Sequence, residues 1–249
     1  MESIVPAHQL FMHIKRLEHT GYTVVPDALP SDRLLPIRER FDALIADHKN
    51  VPTAIIDGDS TSVKGVGSID LTRFFELDPL FEDLMDLRTV FPIVQAIRGY
   101  DVALLASAIG NYRSPHSPAA TLWHRDGGPF IRLTFYLDDV TESSGPTAVM
   151  PGSHKDPHGP PPWANHDEQP RTLPGMMTIP GAAGTCLIND TMIWHTATPN
   201  RAAQPRRVVW VVYKWSTQVY DAKEITRPSP EFIDRQTDPM RRALLGRSD

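Results

Sequence analysis

Residues 123–137 read WHRDGGPFIRLTFYL, and this stretch decides the fold. Between residues 131 and 137, apolar Ile, Leu, Phe and Leu alternate with Arg, Thr and Tyr, a pattern typical of a strand with one buried face. His124 and Asp126 stand two residues apart at the entrance to this strand, so the alternation sends both side chains to the same face. The stretch therefore predicts a strand that begins with two candidate metal ligands.

The first hundred residues carry mainly helical patterns. Apolar side chains repeat at helical spacing after Ser31, which we expect to be a helix N-cap. Asp78-Pro79 predicts the start of a second helix, and residues 92–98 predict a third. Residues 51–70 are rich in Gly, Asp, Ser and Thr and predict a loop between the first two helices.

Short strands dominate from about residue 101 onward. The predicted strands are Val102–Ala106, Ile131–Leu137, Thr185–Asn189 and Val208–Tyr213, with an earlier extended segment at Tyr22–Val25 and a short helix at Pro239–Leu245. Helices followed by many short strands indicate an α+β fold around a sandwich or jelly roll. We expect one domain over residues 1–249, with a helical flank (1–100), a strand core (101–216) and a C-terminal tail (217–249).

The composition is that of an ordinary globular enzyme. The chain has 249 residues, is 41% apolar and 22% charged, and its formal net charge of −5 gives no reason to expect nucleic acid. The single cysteine, Cys186, excludes an internal disulfide and any multi-cysteine metal site. No stretch is long and apolar enough to span a membrane, and the N-terminal residues lack the apolar block of a signal peptide, so we expect a cytoplasmic protein.

Prolines are unusually frequent, with 24 in total and a cluster between Pro146 and Pro180. Because proline fixes φ and removes a backbone donor, this region is expected to form loop and edge strand. Long ordered loops in compact domains often serve as functional lids or rims, and a disordered surface excursion is the alternative.

The His-x-Asp pattern occurs twice, at His124/Asp126 and at His154/Asp156. We favour the first pair because it precedes a clear strand, whereas the second lies in the proline-rich region. His195 follows an apolar segment and is the candidate third ligand. The alternative for any of these histidines is that local hydrogen bonds satisfy both ring nitrogens at a strand end.

Two imidazoles and one carboxylate suit Fe(II), because about three positions of an octahedral ion stay open for chemistry. The same ligands with a water also make a hydrolytic zinc site, so ligand type alone leaves both metals open. Arg206 and Arg207 favour iron, because an anionic, chelating co-substrate needs a fixed bidentate clamp. They open a predicted strand and so face opposite sides, which leaves one of them to point inward; two surface arginines are the alternative.

The chain resembles the phytanoyl-CoA dioxygenase family of Fe(II)- and 2-oxoglutarate-dependent oxygenases over nearly its whole length. The matching segments, in chain order, are Gly21–Pro26, Trp123–Asp126, Gly145–Pro146, Pro151–His154, Gly184–His195, Pro199–Arg201 and Pro205–Arg207. The resemblance implies a double-stranded β-helix, which is a distorted jelly roll, with flanking N-terminal helices. It also implies Fe(II), 2-oxoglutarate as co-substrate, and O2.

The resemblance also implies roles for individual residues. It places the iron on His124, Asp126 and His195, which would carry catalysis. It assigns the distal carboxylate of 2-oxoglutarate to Arg206 rather than Arg207.

Further positions near the expected co-substrate match the family less closely. Asn111 falls where relatives have a polar co-substrate contact, and Thr134 is an expected inward partner. Many relatives carry a serine two residues after the distal histidine, where this chain has Ala197, so one hydroxyl contact is expected to be missing or moved. The presence of Asp126 speaks against the halogenating relatives, in which a small residue leaves room for a halide.

The expected activity is hydroxylation of an unactivated C–H bond in a small organic metabolite, such as a natural-product intermediate, with formation of succinate and CO2. Candidate substrate contacts are Phe130, Trp163, Trp194 and Arg113, each of which packing explains equally well. Two alternatives remain: a metal-dependent jelly-roll isomerase or hydrolase that does not use 2-oxoglutarate, and a non-catalytic binding module. We expect a monomer or homodimer with a small-molecule substrate and with neither nucleic acid nor membrane as partner.

Overall fold

Antiparallel strands in two sheets form the centre of the computed structural model, which describes residues 5–56, 67–98, 103–118, 120–126, 128–156, 172–215 and 227–247. The strands are β1 (Tyr22–Val25), β2 (Ala54–Ile56), β3 (Ser68–Thr72), β4 (Ala103–Arg113), β5 (Ile131–Tyr136), β6 (Thr147–Val149), β7 (Met177–Ile179), β8 (Cys186–Asp190), β9 (His195–Ala197) and β10 (Arg206–Trp215). The large sheet has the order β1-β8-β5-β10-β4-β3-β2, and the small sheet the order β7-β6-β9. This arrangement confirms the α+β, jelly-roll prediction.

Helices flank the sheets at both ends of the chain. They are α1 (Ala7–Thr20), α2 (Ser31–Ala46), α3 (Phe91–Arg98), α4 (Pro230–Asp234) and α5 (Pro239–Leu244), with 3-10 helices at His48–Asn50, Phe74–Glu76, Pro79–Met85 and Ser153–Lys155. Within the described residues, none of these helices combines the length and the apolar character needed to cross a bilayer.

Each face of the large sheet packs into a different hydrophobic core. Leu133, Phe135 and Val209 point outward into the larger core, which they share with apolar side chains of the helices. Tyr136, Leu187 and Val208 point to the opposite face and pack against Val149 and Ile179 of the small sheet. Because successive strand residues face opposite sides, this inner face lies between the two sheets and also receives Arg132, Thr134 and Arg206.

Two aromatic side chains of the helical layer pack against Gly110 of β4. The rings of Phe41 and Phe74 lie there with centroids 5.4 Å apart. A Cβ atom at residue 110 would lie 2.5 Å from Cε2 of Phe74, which is a clash. Glycine at this position therefore lets the two aromatic side chains rest directly on β4.

Two local predictions from the sequence are wrong. The expected loop over residues 51–70 contains β2 and most of β3, which extend the large sheet at its edge. Both strands are short, with three and five residues, and they flank a segment rich in Gly, Asp and Ser. In β3, Ile69 and Leu71 do alternate with Ser68, Asp70 and Thr72, but the composition of the surrounding segment favoured a loop. Ser31 is the first helical residue of α2 and not its cap, which is Pro30.

Other element predictions are confirmed with changed bounds. Asp78 caps the following helix through its side chain, which accepts from the backbone N–H of Leu80 at 3.0 Å, although that helix is of the 3-10 type. β4 extends to Arg113, well beyond the predicted Ala106. Three of the inward positions in this second half are polar, namely Ser107, Asn111 and Arg113, so the segment does not resemble a strand core. The domain bounds of 1–249 stay a prediction.

Replacing Phe41 by alanine is expected to lower the free energy of unfolding by about 3–5 kcal/mol, because the ring is fully buried between α2 and the sheet. Leu35 lies on the same helix with 50% of its surface exposed, so Leu35→Ala is the control and should stay within about 0.5 kcal/mol of the parent chain. Guanidinium unfolding measures both variants. Equal transition midpoints for Phe41→Ala and Leu35→Ala would contradict this account of the core.

Candidate metal centre

A backbone bridge brings the two predicted histidine ligands together. His124 and His195 form an isolated antiparallel bridge, with N–H to O distances of 3.0 Å in both directions. The backbone N–H of Thr121 donates to the carbonyl of Ala197, and the backbone N–H of Asp126 donates to the carbonyl of Thr191. These two bonds extend the pairing on either side of the bridge. Because directly opposed residues share a face, both imidazoles project to the same side, with ring centroids 4.2 Å apart.

Asp126 completes the cluster. Its Oδ1 lies 3.6 Å from Nε2 of His124 and 3.8 Å from Nε2 of His195. One potential ligand atom from each of the three residues lies within 4.8 Å of the others. Among the described residues this is the group of histidine, cysteine and acidic side chains with the spacing to hold a metal ion.

The hydrogen bonds of both rings suit metal binding through Nε2. Nδ1 of His124 lies 2.7 Å from the carbonyl oxygen of Leu122, and Nδ1 of His195 lies 2.8 Å from that of Ile193. A carbonyl oxygen only accepts, so each Nδ1 carries the proton and each Nε2 keeps its lone pair. Nε2 of His195 is buried without a hydrogen-bond partner, which is the condition expected of an atom that a metal would satisfy.

Burial also keeps these histidines neutral. It lowers the pKa of His195 well below 6.5, and the positive charge of Arg132 and the neighbouring His124 act in the same direction. Burial likewise lowers the pKa of His124, although the carboxylate of Asp126 partly opposes the shift. Neutral imidazole is the form that ligates a metal, so the site needs no further deprotonation near neutral pH.

Arg206 is a buried cation, with 2% of its surface exposed, at the start of β10. Its Nη1 donates to the carbonyl of Gly145 and its Nη2 donates to Oδ1 of Asn111, whereas Nε is buried without a hydrogen-bond partner. Burial lowers the pKa of Arg206 to about 10, partly offset by Tyr136 and Asp138. Within the described residues no carboxylate lies within ion-pair distance of this guanidinium, so the arginine suits an anionic ligand.

Arg207 faces the other way, as the strand alternation predicts. Its Nε lies 2.5 Å from Oδ1 of Asp42, and its Nη1 lies 2.9 Å from Oδ1 of Asp138. Both carboxylates thus satisfy this guanidinium on the outer side of the sheet, and only Arg206 turns inward.

Asn111 and Thr134 both lie on the inner face near Arg206. Asn111 is fully buried and donates from Nδ2 to Oδ1 of Asp70 at 2.6 Å, while its own Oδ1 accepts from Arg206. It therefore braces the arginine, and its contact with a co-substrate stays a prediction. Thr134 is 3% exposed, and its predicted contact is likewise untested.

Ala197 stands where many relatives have a serine, and neither neighbouring threonine offers a free hydroxyl donor in its place. The hydroxyl of Thr196 donates to the carbonyl of Thr121, and the hydroxyl of Thr198 donates to that of Pro146 at 2.8 Å. Both neighbouring hydroxyl protons are thus engaged by the backbone, which favours a missing contact over a moved one.

The four predicted substrate contacts are Phe130, Trp194, Arg113 and Trp163. Phe130 and Trp194 are buried, with 2% and 7% of their surfaces exposed, and Trp194 packs with Trp123. Arg113 is fully buried beside Arg206 and donates to the carbonyl of Thr198 at 2.7 Å. Trp163 lies outside the described residues. The roles of all four residues stay predictions.

The second His-x-Asp pair does not join this cluster. Nε2 of His154 lies 3.3 Å from the carbonyl oxygen of Glu18, and its ring rests against Gly21, where a Cβ atom would come within 2.6 Å of Nδ1. His154 therefore packs the turn after β6 against the end of α1.

Sequence reasoning missed one charged residue beside the cluster. Nη1 of Arg132 lies 3.6 Å from Oδ2 of Asp126. The alternation along β5 could have identified it, because Arg132 faces the same inner side as Thr134 and Tyr136.

Comparison with known proteins places the chain among oxygenases. Residues 17–208 match the family described as Phytanoyl-CoA dioxygenase (PhyH). The chain is 23% identical to the L-proline trans-4-hydroxylase of Streptomyces griseoviridis, over 90% of this chain and 92% of that protein. It is also 23% identical to the ectoine dioxygenase of Sphingopyxis alaskensis, over 89% of this chain and 81% of that protein.

Solved structures share the fold. The epimerase SnoN, in complex with Fe3+, alpha ketoglutarate and nogalamycin RO, aligns with a TM-score of 0.70 at 20% identity, covering 87% of this chain and 88% of that chain. The carbocyclase SnoK from nogalamycin biosynthesis aligns with a TM-score of 0.66 at 18% identity, covering 81% and 82%. These likenesses establish a common scaffold.

Acid is expected to destabilise the metal-free protein. The unfolded histidines titrate near pH 6.5, whereas burial lowers the pKa of His195 and His124 in the folded state, so the unfolded chain binds more protons as pH falls below about 7. The free energy of unfolding should therefore decrease on acidification, by up to about 1.4 kcal/mol per pH unit for the buried His195.

Urea unfolding between about pH 7.5 and pH 5.5 tests the assignment to His195. His195→Gln should reduce the slope of the free energy of unfolding against pH. His19 is exposed and serves as the matched control, so His19→Gln should keep the parent slope. An unchanged slope in His195→Gln would show that this ring is not held neutral by burial.

Proposed function

The chain belongs to the phytanoyl-CoA dioxygenase family, and from this premise we propose that it hydroxylates an unactivated C–H bond of a small organic metabolite, with His124, Asp126 and His195 as the metal ligands. As a member of the family it is an Fe- and 2-oxoglutarate-dependent dioxygenase. What is proposed is therefore the assignment of residues, the type of oxidation and the class of substrate.

The observation that carries the proposal is a desolvated arginine on the inner face of the large sheet, where Arg132 lies beside Asp126. His195 lies opposite Val149 on the face of the small sheet that packs against this inner face. Neutral Nε2 atoms and one carboxylate suit Fe(II) and leave positions for a chelating ligand. Arg206 lacks an acidic partner among the described residues, so a carboxylate that enters this face would gain a charge-assisted, buried bond. A hydrolytic zinc site needs no such cation. A non-catalytic binding module has no need to keep both the three metal ligands and Arg206.

The bound iron, together with 2-oxoglutarate and O2, supplies the oxidising chemistry, in which one oxygen atom enters succinate and the other enters the product. The protein has three tasks around that chemistry. His124 and His195 offer Nε2 because the carbonyls of Leu122 and Ile193 hold the Nδ1 protons. Arg206, braced by Asn111, orients the distal carboxylate of 2-oxoglutarate.

The class of substrate follows from the relatives. The two curated relatives are named for the small molecules L-proline and ectoine, and the solved structures come from nogalamycin biosynthesis. We propose a small-molecule substrate of similar size, including natural-product intermediates.

Asp126→Ala is expected to abolish turnover, since it removes the anionic ligand of the proposed metal set. Succinate formation with Fe(II), 2-oxoglutarate and a panel of small amino acids and natural-product intermediates measures the effect. Asp156→Ala is the matched control from the second His-x-Asp pair and should retain activity. Full activity of Asp126→Ala, or equal losses in both variants, would refute the ligand assignment.

Arg206→Gln is expected to raise the KM for 2-oxoglutarate by roughly 10- to 100-fold, because it removes a charge-assisted bond to the distal carboxylate. Arg207→Gln is the control, since Asp42 and Asp138 hold that guanidinium on the outer face. Steady-state kinetics with varied 2-oxoglutarate distinguish the two variants. A larger KM increase in Arg207→Gln would reverse the assignment.

A further inference from the structure

The two oxygens of the Asp126 carboxylate have different partners. Oδ1 faces the metal-binding side, at 3.6 Å and 3.8 Å from the Nε2 atoms of His124 and His195. Oδ2 faces Nη1 of Arg132 at 3.6 Å. The carboxylate is therefore divided between the histidine pair and a guanidinium.

Arg132 is built into the sheet beside this carboxylate. It is the second residue of β5, opposite the uncharged residues Val212 of β10 and Asn189 of β8. Only 13% of its side chain is exposed, and its Nε is buried without a hydrogen-bond partner. Asp126 is its one acidic neighbour within ion-pair distance in the described part of the chain.

We propose that Arg132 is a positioning residue that holds Oδ2 of Asp126 and so presents Oδ1 alone to the metal; the inference rests on the proposed function. A carboxylate that binds a metal through both oxygens occupies a coordination position that a chelating co-substrate needs. A guanidinium on Oδ2 opposes that mode and fixes the orientation of the ligand.

Simple electrostatics predicts the opposite effect on metal affinity. A positive side chain near a cation site repels the ion, so its removal should tighten binding if repulsion dominates. Loss of a group that orients a ligand typically weakens binding by about 10- to 100-fold. The sign of the change therefore separates positioning from a mere charge nearby.

The experiment titrates the metal-free, full-length protein anaerobically with Co(II), whose visible absorption reports both affinity and coordination. Arg132→Gln should raise the Kd by roughly 10- to 100-fold and change the absorption bands. Arg132→Lys keeps the charge but loses the planar fork, so its Kd should lie between those of Arg132→Gln and the parent protein. The side chain of Arg38 is 40% exposed and its Nη1 lies 3.9 Å from Oδ1 of Asp138, so Arg38→Gln is the matched control, with the affinity and spectrum of the parent protein.

The effect should also depend on Asp126. In an Asp126→Ala background, Arg132→Gln should weaken Co(II) binding no further, because no carboxylate remains to be held. Equally strong weakening in that background would overturn the proposal, as would an unchanged or lower Kd in Arg132→Gln itself.

Two checks keep the result interpretable. Circular dichroism establishes that each metal-free variant is folded; if Arg132→Gln is not, Arg132→Lys decides, and a Kd equal to or below that of the parent overturns the proposal. Failure of the parent protein to bind Co(II) at all would instead refute the metal site, so the two failures are distinguishable.

Discussion

The backbone bridge between His124 and His195 is the constraint on which the site depends. Two reciprocal hydrogen bonds of 3.0 Å fix the register between the segment before β5 and the start of β9. Because the side-chain period of extended chains is two, a shift of one residue would turn His195 to the opposite face. The metal-binding geometry is thus inherited from backbone pairing, and the side chains only have to be of the right chemical type.

The inner face of the large sheet carries three arginines, and among the described residues Arg206 has no carboxylate within ion-pair distance. Arg132 lies beside Asp126, Arg113 donates to a backbone carbonyl, and Arg206 contacts Asn111 and a backbone carbonyl. Buried charges are costly unless they are paired. Burial and the charge of Arg206 lower the pKa of Arg113 well below its usual value, which expresses the same cost. A divalent metal with a dicarboxylate co-substrate on this face would bring the negative charge that Arg206 lacks, so the proposed ligands and the arrangement of arginines suit each other.

Sequence patterns identified the strand with a long alternation, and failed for shorter strands beside segments of loop-like composition. The alternation in residues 131–137 predicted both the strand β5 and which of its side chains face the same side. The same reasoning predicted that only one of Arg206 and Arg207 faces inward, and in the structure that residue is Arg206. In β3 and the second half of β4, however, inward positions are polar, as at Asp70 and Asn111, which bond to each other at 2.6 Å. A buried polar pair across two strands looks like loop composition to any local pattern, since its partner lies far away in the chain.

The sequence by itself determined the types of ligand, the class of fold and the family of the protein, because these depend on residue chemistry, on short periods and on ordered motifs. Only the tertiary structure decided how the favoured His-x-Asp pair reaches the distal histidine. His124/Asp126 and His154/Asp156 are equivalent at the level of spacing, yet the first is paired with β9, while His154 packs against Gly21. The tertiary structure also decided that Arg132 faces Oδ2 of Asp126. The physical reason is that local patterns report which face a side chain takes, whereas its neighbours across that face are set by the register of strands distant in the chain.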